Sequence, residues 1–239
     1  MTIADINQEI RDLCDADTTT YTASTLLRRV NNALETLVGL IINADGTWQW
    51  DDSNYSTLPI GTGTLVEGQT SYSFSDEFLD IEEVSVLDAG GVWRKLKPVD
   101  PSELGDLSIE EYFGIKTSST PKGLPEYYDK QEDTVKLYPA PAATAVTLSS
   151  GLRVRFKRTA DLFTSAQVTT GTKVPGIASP YHMLICYLAA IPYCMGYKKD
   201  RVALYKKQAD QLTEEMLTFY GQREKDRRKV MTMASISYI

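Results

Sequence analysis

The side chains most able to do chemistry in this 239-residue chain are few, and their spacing argues against catalysis. There is one histidine, His182, and it sits inside an apolar run. A Ser-His-Asp or Cys-His arrangement would have to use it, and the chain carries no G-x-S-x-G nucleophile turn. The three cysteines, Cys14, Cys186 and Cys194, lack C-x-x-C spacing and a second histidine, so they do not form a zinc signature. They read instead as reduced core thiols of a cytosolic protein. Gly61-Thr62-Gly63 does not continue into a phosphate-binding loop, because neither G-K-[ST] nor G-x-G-x-x-G follows. Acid pairs recur at Asp51-Asp52, Glu82-Glu83, Glu110-Glu111, Glu132-Asp133 and Glu214-Glu215. Adjacent acids on a strand or helix point apart, whereas a glycosidase needs two carboxyls facing across a cleft. These pairs therefore read as solvated faces. The expectation is a non-enzyme that binds no cofactor and no metal.

The elements that hold these residues follow from periodicity. Residues 2–14 predict an amphipathic helix capped by Thr2, with Ile3, Ile6, Ile10 and Leu13 on one stripe. A second helix is predicted from about 22 to 44, its stripe of Leu26, Val30, Ala33, Leu37 and Ile41 widened by Leu27, Leu34, Val38 and Ile42. From residue 47 the pattern changes to short alternating runs. Residues 81–87 and 92–96 flank Asp88-Ala89-Gly90-Gly91, and residues 126–129 and 134–138 flank Lys130-Gln131-Glu132-Asp133, two hairpins. A short helix is expected near Asp100-Pro101-Ser102-Glu103-Leu104. With residues 69–74 and 152–156, about six strands predict a small antiparallel sheet, closed as a barrel or folded as a sandwich. Trp48, Trp50, Tyr55, Tyr72, Phe74, Tyr112, Phe113, Tyr127 and Tyr128 fall in this region and serve a core or a subunit interface.

Residues 161–178 read as a long loop. Residues 179–197 then predict a helix that is apolar on nearly every side, with Ser179 as cap and Pro180 at its first position. It is too short for a bilayer and is interrupted by Pro192, so it reads as a buried core helix. A long charged helix over 199–228 follows, its apolar stripe running Tyr205, Ala209, Leu212, Met216 and Phe219. The last residues, 229–239, are apolar at Val230, Met231, Met233, Ile236, Tyr238 and Ile239. The first ten residues show no basic region followed by an apolar run, so neither a signal nor a transit peptide is expected. The fold class is thus α+β. A helical bundle of two N-terminal and two C-terminal helices, residues 1–46 and 177–228, carries an inserted β-domain, residues 47–176, and an extended arm, residues 229–239.

Charge is polarised along the chain. Residues 1–150 hold 10 Lys/Arg and 25 Asp/Glu, whereas residues 151–239 hold 15 and 7. Either two solvated faces or an oriented molecule with unlike neighbours would give this asymmetry. The basic residues lie in a helix laced with acids, unlike a free-standing DNA-binding domain.

The order of these segments carries a resemblance. Two N-terminal helices lead into a strand domain with a Trp near its start. It holds a strand ending Lys136-Leu137-Tyr138-Pro139-Ala140-Pro141 and a strand Leu152-Arg153-Val154-Arg155-Phe156. A loop, a proline-led apolar helix and a long charged helix complete the chain. This layout resembles the head–tail connector adaptors of tailed bacteriophages, in particular the tubular tail adaptors of short-tailed phages, over nearly the whole chain. The resemblance implies a virion protein made in the host cytoplasm that assembles as a ring, commonly of twelve, beneath the portal. It implies that residues 229–239 dock on the portal, that the β-domain faces the next tail component, and that DNA passes through without being gripped. Regions 51–70 and 105–122 would contact neighbours or the tail. Across a heterologous ring interface, Asp51, Asp52 and Glu82 could meet Arg223, Arg227 and Arg228. Partners would be other copies, the portal and a tail protein, with no membrane. The alternatives are another tail or receptor-binding component, a carboxylate-dependent cell-wall hydrolase, and a DNA-binding accessory protein.

Overall fold

A computed structural model describes residues 1–44, 59–75, 78–100, 109–115, 120–131, 134–168 and 171–221. The fold is α+β, and the chain divides into two compact units: Met1–Asn54 with Ala160–Ile239, and Tyr55–Thr159. The segment 160–176, which the sequence groups with the strands, thus belongs to the helical unit. Phe163 lies in the helical core, and the Ile3 amide donates to the Lys173 carbonyl at 2.9 Å.

Among the described residues, four α-helices build the first unit. Helix α1, Ile3–Cys14, opens on a capping box: Thr2 Oγ1 accepts from the Asp5 amide and the Asp5 carboxylate accepts from the Thr2 amide. Its stripe of Ile3, Ile6, Ile10 and Cys14 is buried, and Asp15 ends it in the left-handed region at φ 47°. Helix α2, Ala23–Ala44, buries Leu26, Val30, Ala33, Leu34, Leu37, Val38, Ile41 and Ile42, so it packs on more than one side as its double stripe predicts. Helix α3, His182–Tyr197, is the apolar run. Ser179 does not cap it. Residues Ser179–Tyr181 form a 3-10 turn entered from Ala178 with no side-chain cap, because Pro180 fixes the turn one step before the α-helix begins. Helix α4, Lys199–Gly221, buries Tyr205, Ala209, Met216 and Tyr220. Its stripe therefore ends on Tyr220, while Phe219 is substantially exposed. From Met216, the four-residue step keeps Tyr220 over the core, and Phe219 turns outward. The predicted continuation past 221 lies outside the described residues.

Pro192 sits within α3 and brings no amide, so the Leu188 carbonyl has no helix donor at that position. The next two carbonyls meet side chains from the end of α1 and from the α1–α2 connection. Tyr21 donates its hydroxyl to Ala189 O at 2.9 Å, and Cys14 Sγ lies 3.9 Å from Ala190 O. The helix that looked most uniform is thus held at its weakest turn by two residues from the other end of the chain.

The second unit carries ten short strands among its described residues, where the sequence suggested about six in one antiparallel sheet. They are β1 Ile60–Gly63, β2 Ser71–Ser73, β3 Phe78–Leu87, β4 Trp93–Lys95, β5 Lys97–Pro98, β6 Lys122–Gly123, β7 Tyr127–Gln131, β8 Thr134–Tyr138, β9 Ala140–Pro141 and β10 Leu152–Arg158. Two four-stranded sheets run β1-β10-β3-β4 and β2-β8-β7-β5, and β6 pairs with β9. The β5–β7 and β6–β9 pairings are parallel, the rest antiparallel. Both predicted hairpins form, with Leu87 opposite Trp93 and Gln131 opposite Thr134. One apolar cluster joins the two large sheets, with Val84, Val86, Leu152, Val154 and Phe156 from one and Tyr72, Tyr128, Val135 and Leu137 from the other. Strand β10 keeps its alternation to the end, burying Leu152, Val154, Phe156 and Arg158, whose guanidinium lies over the Phe156 ring, while the register shifts against it fall on extra residues of β3. The expected short helix near residue 101 falls outside the described residues. A single helical turn occurs at Ile109–Tyr112.

Candidate functional site

Among the described residues, His182, the three cysteines and Glu82-Glu83 each have a structural occupation, while Asp51-Asp52 and Glu132-Asp133 lie outside them. His182 is buried between two polar neighbours: the Met1 ammonium lies 2.8 Å from Nδ1, and Nε2 lies 3.0 Å from the Ile177 carbonyl. A carbonyl only accepts and an ammonium only donates, so Nε2 carries the proton and Nδ1 is the acceptor. Burial, with the ammonium adding to it, holds this imidazole below its ordinary pKa, hence neutral. It links the chain's start to the turn before α3.

All three cysteines are buried. Burial pushes the Cys14 and Cys186 thiols up to about 12 and raises Cys194, the opposite of what a nucleophile needs. Among the described residues no group of three or more His, Cys, Asp or Glu could hold a metal ion. The acid pair Glu82-Glu83 lies at a register shift in β3, with Glu83 opposite Arg155 and Ile81 opposite Phe156. Glu82 faces Lys157 at 3.6 Å, and Glu83 faces Lys95 at 3.2 Å and accepts from Ser85. No helix of the described residues is long and apolar enough to cross a membrane.

What the geometry offers is surfaces and their supports. The turn of α1 into its loop is clamped by α4. Lys198 and Arg201 both reach the Asp15 carboxylate and hold it below the usual carboxylate range, while Arg201 and the Tyr205 hydroxyl donate to the Leu13 carbonyl at 2.7 and 2.8 Å. Beside this corner runs a ladder of tyrosines. Tyr21 stacks on Tyr193 at 4.7 Å and 17°, and Tyr193 meets Tyr197 at 4.8 Å. Tyr197 ends the ladder in solvent at 76% exposure, with Met195 also exposed nearby in sequence. The ladder, with Thr20, Thr25, Arg29 and Pro192, lines a cleft of about 260 Å³. In the sequence, Tyr193 and Tyr197 read as parts of a core helix. Their four-residue spacing at the end of an apolar run was the available signal, but only the fold brings Tyr21 against them.

In the strand unit a second aromatic file runs Phe74, Phe78, Phe156, with Phe78 and Phe156 stacked at 3.6 Å. Phe74 and Phe78 flank a small cleft closed by the Lys130–Asp80 ion pair at 3.1 Å. Phe113 stacks flat on Tyr138 at 4.6 Å, which anchors the turn at Ile109–Tyr112, while Tyr112 stays exposed. Of the charge candidates, Glu82 lies on β3. Asp51, Asp52, Arg223, Arg227 and Arg228 lie outside the described residues, as do Val230, Met231, Met233, Ile236, Tyr238 and Ile239 of the arm and residues 51–58, 105–108 and 116–119 of the regions that the resemblance assigns to contacts. Helix α4 delivers the chain to Gly221, beside the end of α2: a Cβ there would lie 3.7 Å from the Ala44 carbonyl oxygen.

No curated protein matches the chain. A family model described as SU10 adaptor protein matches residues 1–235, nearly the full length.

Proposed function

We propose a neck-adaptor role from one premise: this chain belongs to the SU10 adaptor protein family, a family of phage head–tail adaptors. It is accordingly a structural component of a virion. The finer reading is that copies of the chain close into a ring, of twelve subunits, under the portal, that the ring joins portal to tail, and that DNA passes through it. The single observation that carries this reading is the length of the family match, which spans both units and reaches into the arm.

Within that reading each part has a task. Residues 229–239 form the portal-docking arm, with Val230, Met231, Met233, Ile236, Tyr238 and Ile239 as its apolar anchors. A segment of this kind adds to a partner's groove or sheet through alternating anchors. The bundle of α1 to α4 is the mount that carries the arm. A closed ring uses a heterologous interface, so unlike patches of one subunit meet on neighbours. Asp51, Asp52 and Glu82 on one side and Arg223, Arg227 and Arg228 on the other are the charged candidates. Glu82 would have to share its carboxylate with Lys157, its partner within the subunit. A net charge of −7 suits a conduit for DNA, because each phosphate neutralised by a lysine or arginine adds affinity and would slow passage.

The test is reconstitution. The full chain is mixed with the portal protein of the same phage, and the mass of the complex is measured in its native state. Twelve adaptor copies per portal are expected, and a chain lacking residues 229–239 should fold normally yet fail to attach. Attachment by the truncated chain would overturn the arm assignment. A stable trimer in place of a ring would overturn the adaptor geometry.

A further inference from the structure

The helical core brings two cysteines into contact, a pairing that the adaptor role does not use. Cys14, the last residue of α1, and Cys194, in the last turn of α3, place their sulfurs 4.0 Å apart. They are 180 residues apart in sequence, and both are fully buried. The two side chains point at one another in direct contact. Cys186 differs: its thiol is directed at the His182 carbonyl one turn back in its own helix.

We infer that Cys14 and Cys194 are a redox latch that closes as a disulfide between α1 and α3 when the protein meets an oxidising medium. A disulfide needs its sulfurs at about 2.05 Å, so the pair must close by about 2 Å, a movement within reach of side-chain rotation combined with a small helix shift. The site also has a route of access. Cys14 ends its helix at the left-handed Asp15, and a terminal helical turn is where local opening is easiest. The Lys198 and Arg201 contacts to Asp15 hold that turn shut, so oxidation is limited by opening and is slow.

With oxidised glutathione as the oxidant, the step balances. An opened cysteine loses its proton, and its thiolate attacks one sulfur of the glutathione disulfide. That S–S bond breaks, and one glutathione leaves as a thiol. The neighbouring cysteine then attacks the protein sulfur of the mixed disulfide and expels the second glutathione. Two protein thiols become one disulfide, and one glutathione disulfide becomes two thiols. The closed loop spans nearly the whole fold, including the strand unit, and cross-links over long loops restrict the unfolded chain most. Resting on the phage reading alone, the latch would stay open in the reducing cytoplasm where the protein is made and close in the medium a released virion enters.

The experiment uses the isolated full chain and so is independent of the ring. It is incubated with oxidised glutathione or with dithiothreitol, denatured, alkylated and mapped by peptide mass. The expected product joins the Cys14 and Cys194 peptides, lighter by two hydrogens, with Cys186 alkylated. The melting temperature should rise by roughly 5–15 °C and return on reduction. C186S should cross-link as the unaltered chain does, and C194A should not. Three alkylated cysteines after full exposure would overturn the latch. So would glutathione retained on Cys14 or Cys194, or a linked chain that melts no higher. Mapping the unaltered chain decides the matter even if a variant folds poorly.

Discussion

Replacing Tyr21 by Phe isolates one contact between the two ends of the chain. The ring is buried and stacks on Tyr193, and its hydroxyl donates to the Ala189 carbonyl in the turn weakened by Pro192. Y21F keeps the stack and removes only the donor. The Ala189 oxygen retains its own helix donor, so the loss belongs at the low end for a buried hydrogen bond, about 1–1.5 kcal/mol. At roughly 2–4 °C per kcal/mol for a chain of this size, the melting temperature should fall by roughly 2–6 °C. Y21A also removes the ring and should cost about 3–5 kcal/mol. Differential scanning calorimetry of the full chain, with near-ultraviolet circular dichroism to follow the tyrosine environment, separates the two. If Y21F melts with the unaltered chain, the hydroxyl does not support the proline turn. If Y21F is as damaging as Y21A, the stack and the hydrogen bond do not act separately as argued.

The other predictions are independent of that contact. Because burial holds His182 neutral, the unfolded chain takes up its proton more readily, so the stability it contributes is full above about pH 6.5 and is lost as pH falls toward the lowered folded value; H182Q should flatten the melting profile over that range, and parallel profiles would refute it. Gly39 lies inside α2, and a methyl group added there would meet nothing within 4 Å, so G39A should stabilise by about 0.5–1 kcal/mol in urea titration. At Gly151, by contrast, a Cβ would lie 1.7 Å from the Thr147 carbonyl oxygen, and G151A should destabilise by about 2 kcal/mol or more. Asp88 accepts from the Val92 amide at 2.8 Å and pairs with Arg94 at 2.9 Å, which holds its carboxyl low and pins the β3–β4 turn; D88A should speed hydrogen exchange at the Val92 amide, and unchanged protection would refute that role.

The sequence made α1, α2 and the two hairpins readable because their signals are local: an apolar period, a capping box, a turn rich in Asp and Gly. The features it hid depend on partners far along the chain. Strands β5, β6 and β9 are two residues each and exist only through their pairings, two of them parallel. Arg158 continues the inward alternation of Val154 and Phe156, yet only the Phe156 ring beneath its guanidinium shows how a buried arginine is accommodated there. Phe219 is the more apolar of two neighbours, yet Tyr220 is the buried one, and its hydroxyl accepts from the Ala178 amide far back in the chain. At the candidate surfaces, the Asp15 clamp and the tyrosine ladder join residues over 170 apart, which no pattern in a window can show.

The interruption of the helical unit by the strand unit has a consequence for synthesis. Helices α1 and α2 leave the ribosome first, but the faces that cover Ile6, Ile10, Leu34 and Leu37 belong to a core completed by α3 and α4. About 140 residues separate the end of α2 from α3, a delay of roughly 10–30 s at ordinary translation rates. The strand unit, contiguous over Tyr55–Thr159, can complete its own core during that wait. The nascent chain therefore carries a finished middle and an unfinished beginning, and it is the opening 44 residues that a chaperone would have to shield until the end of the message is read.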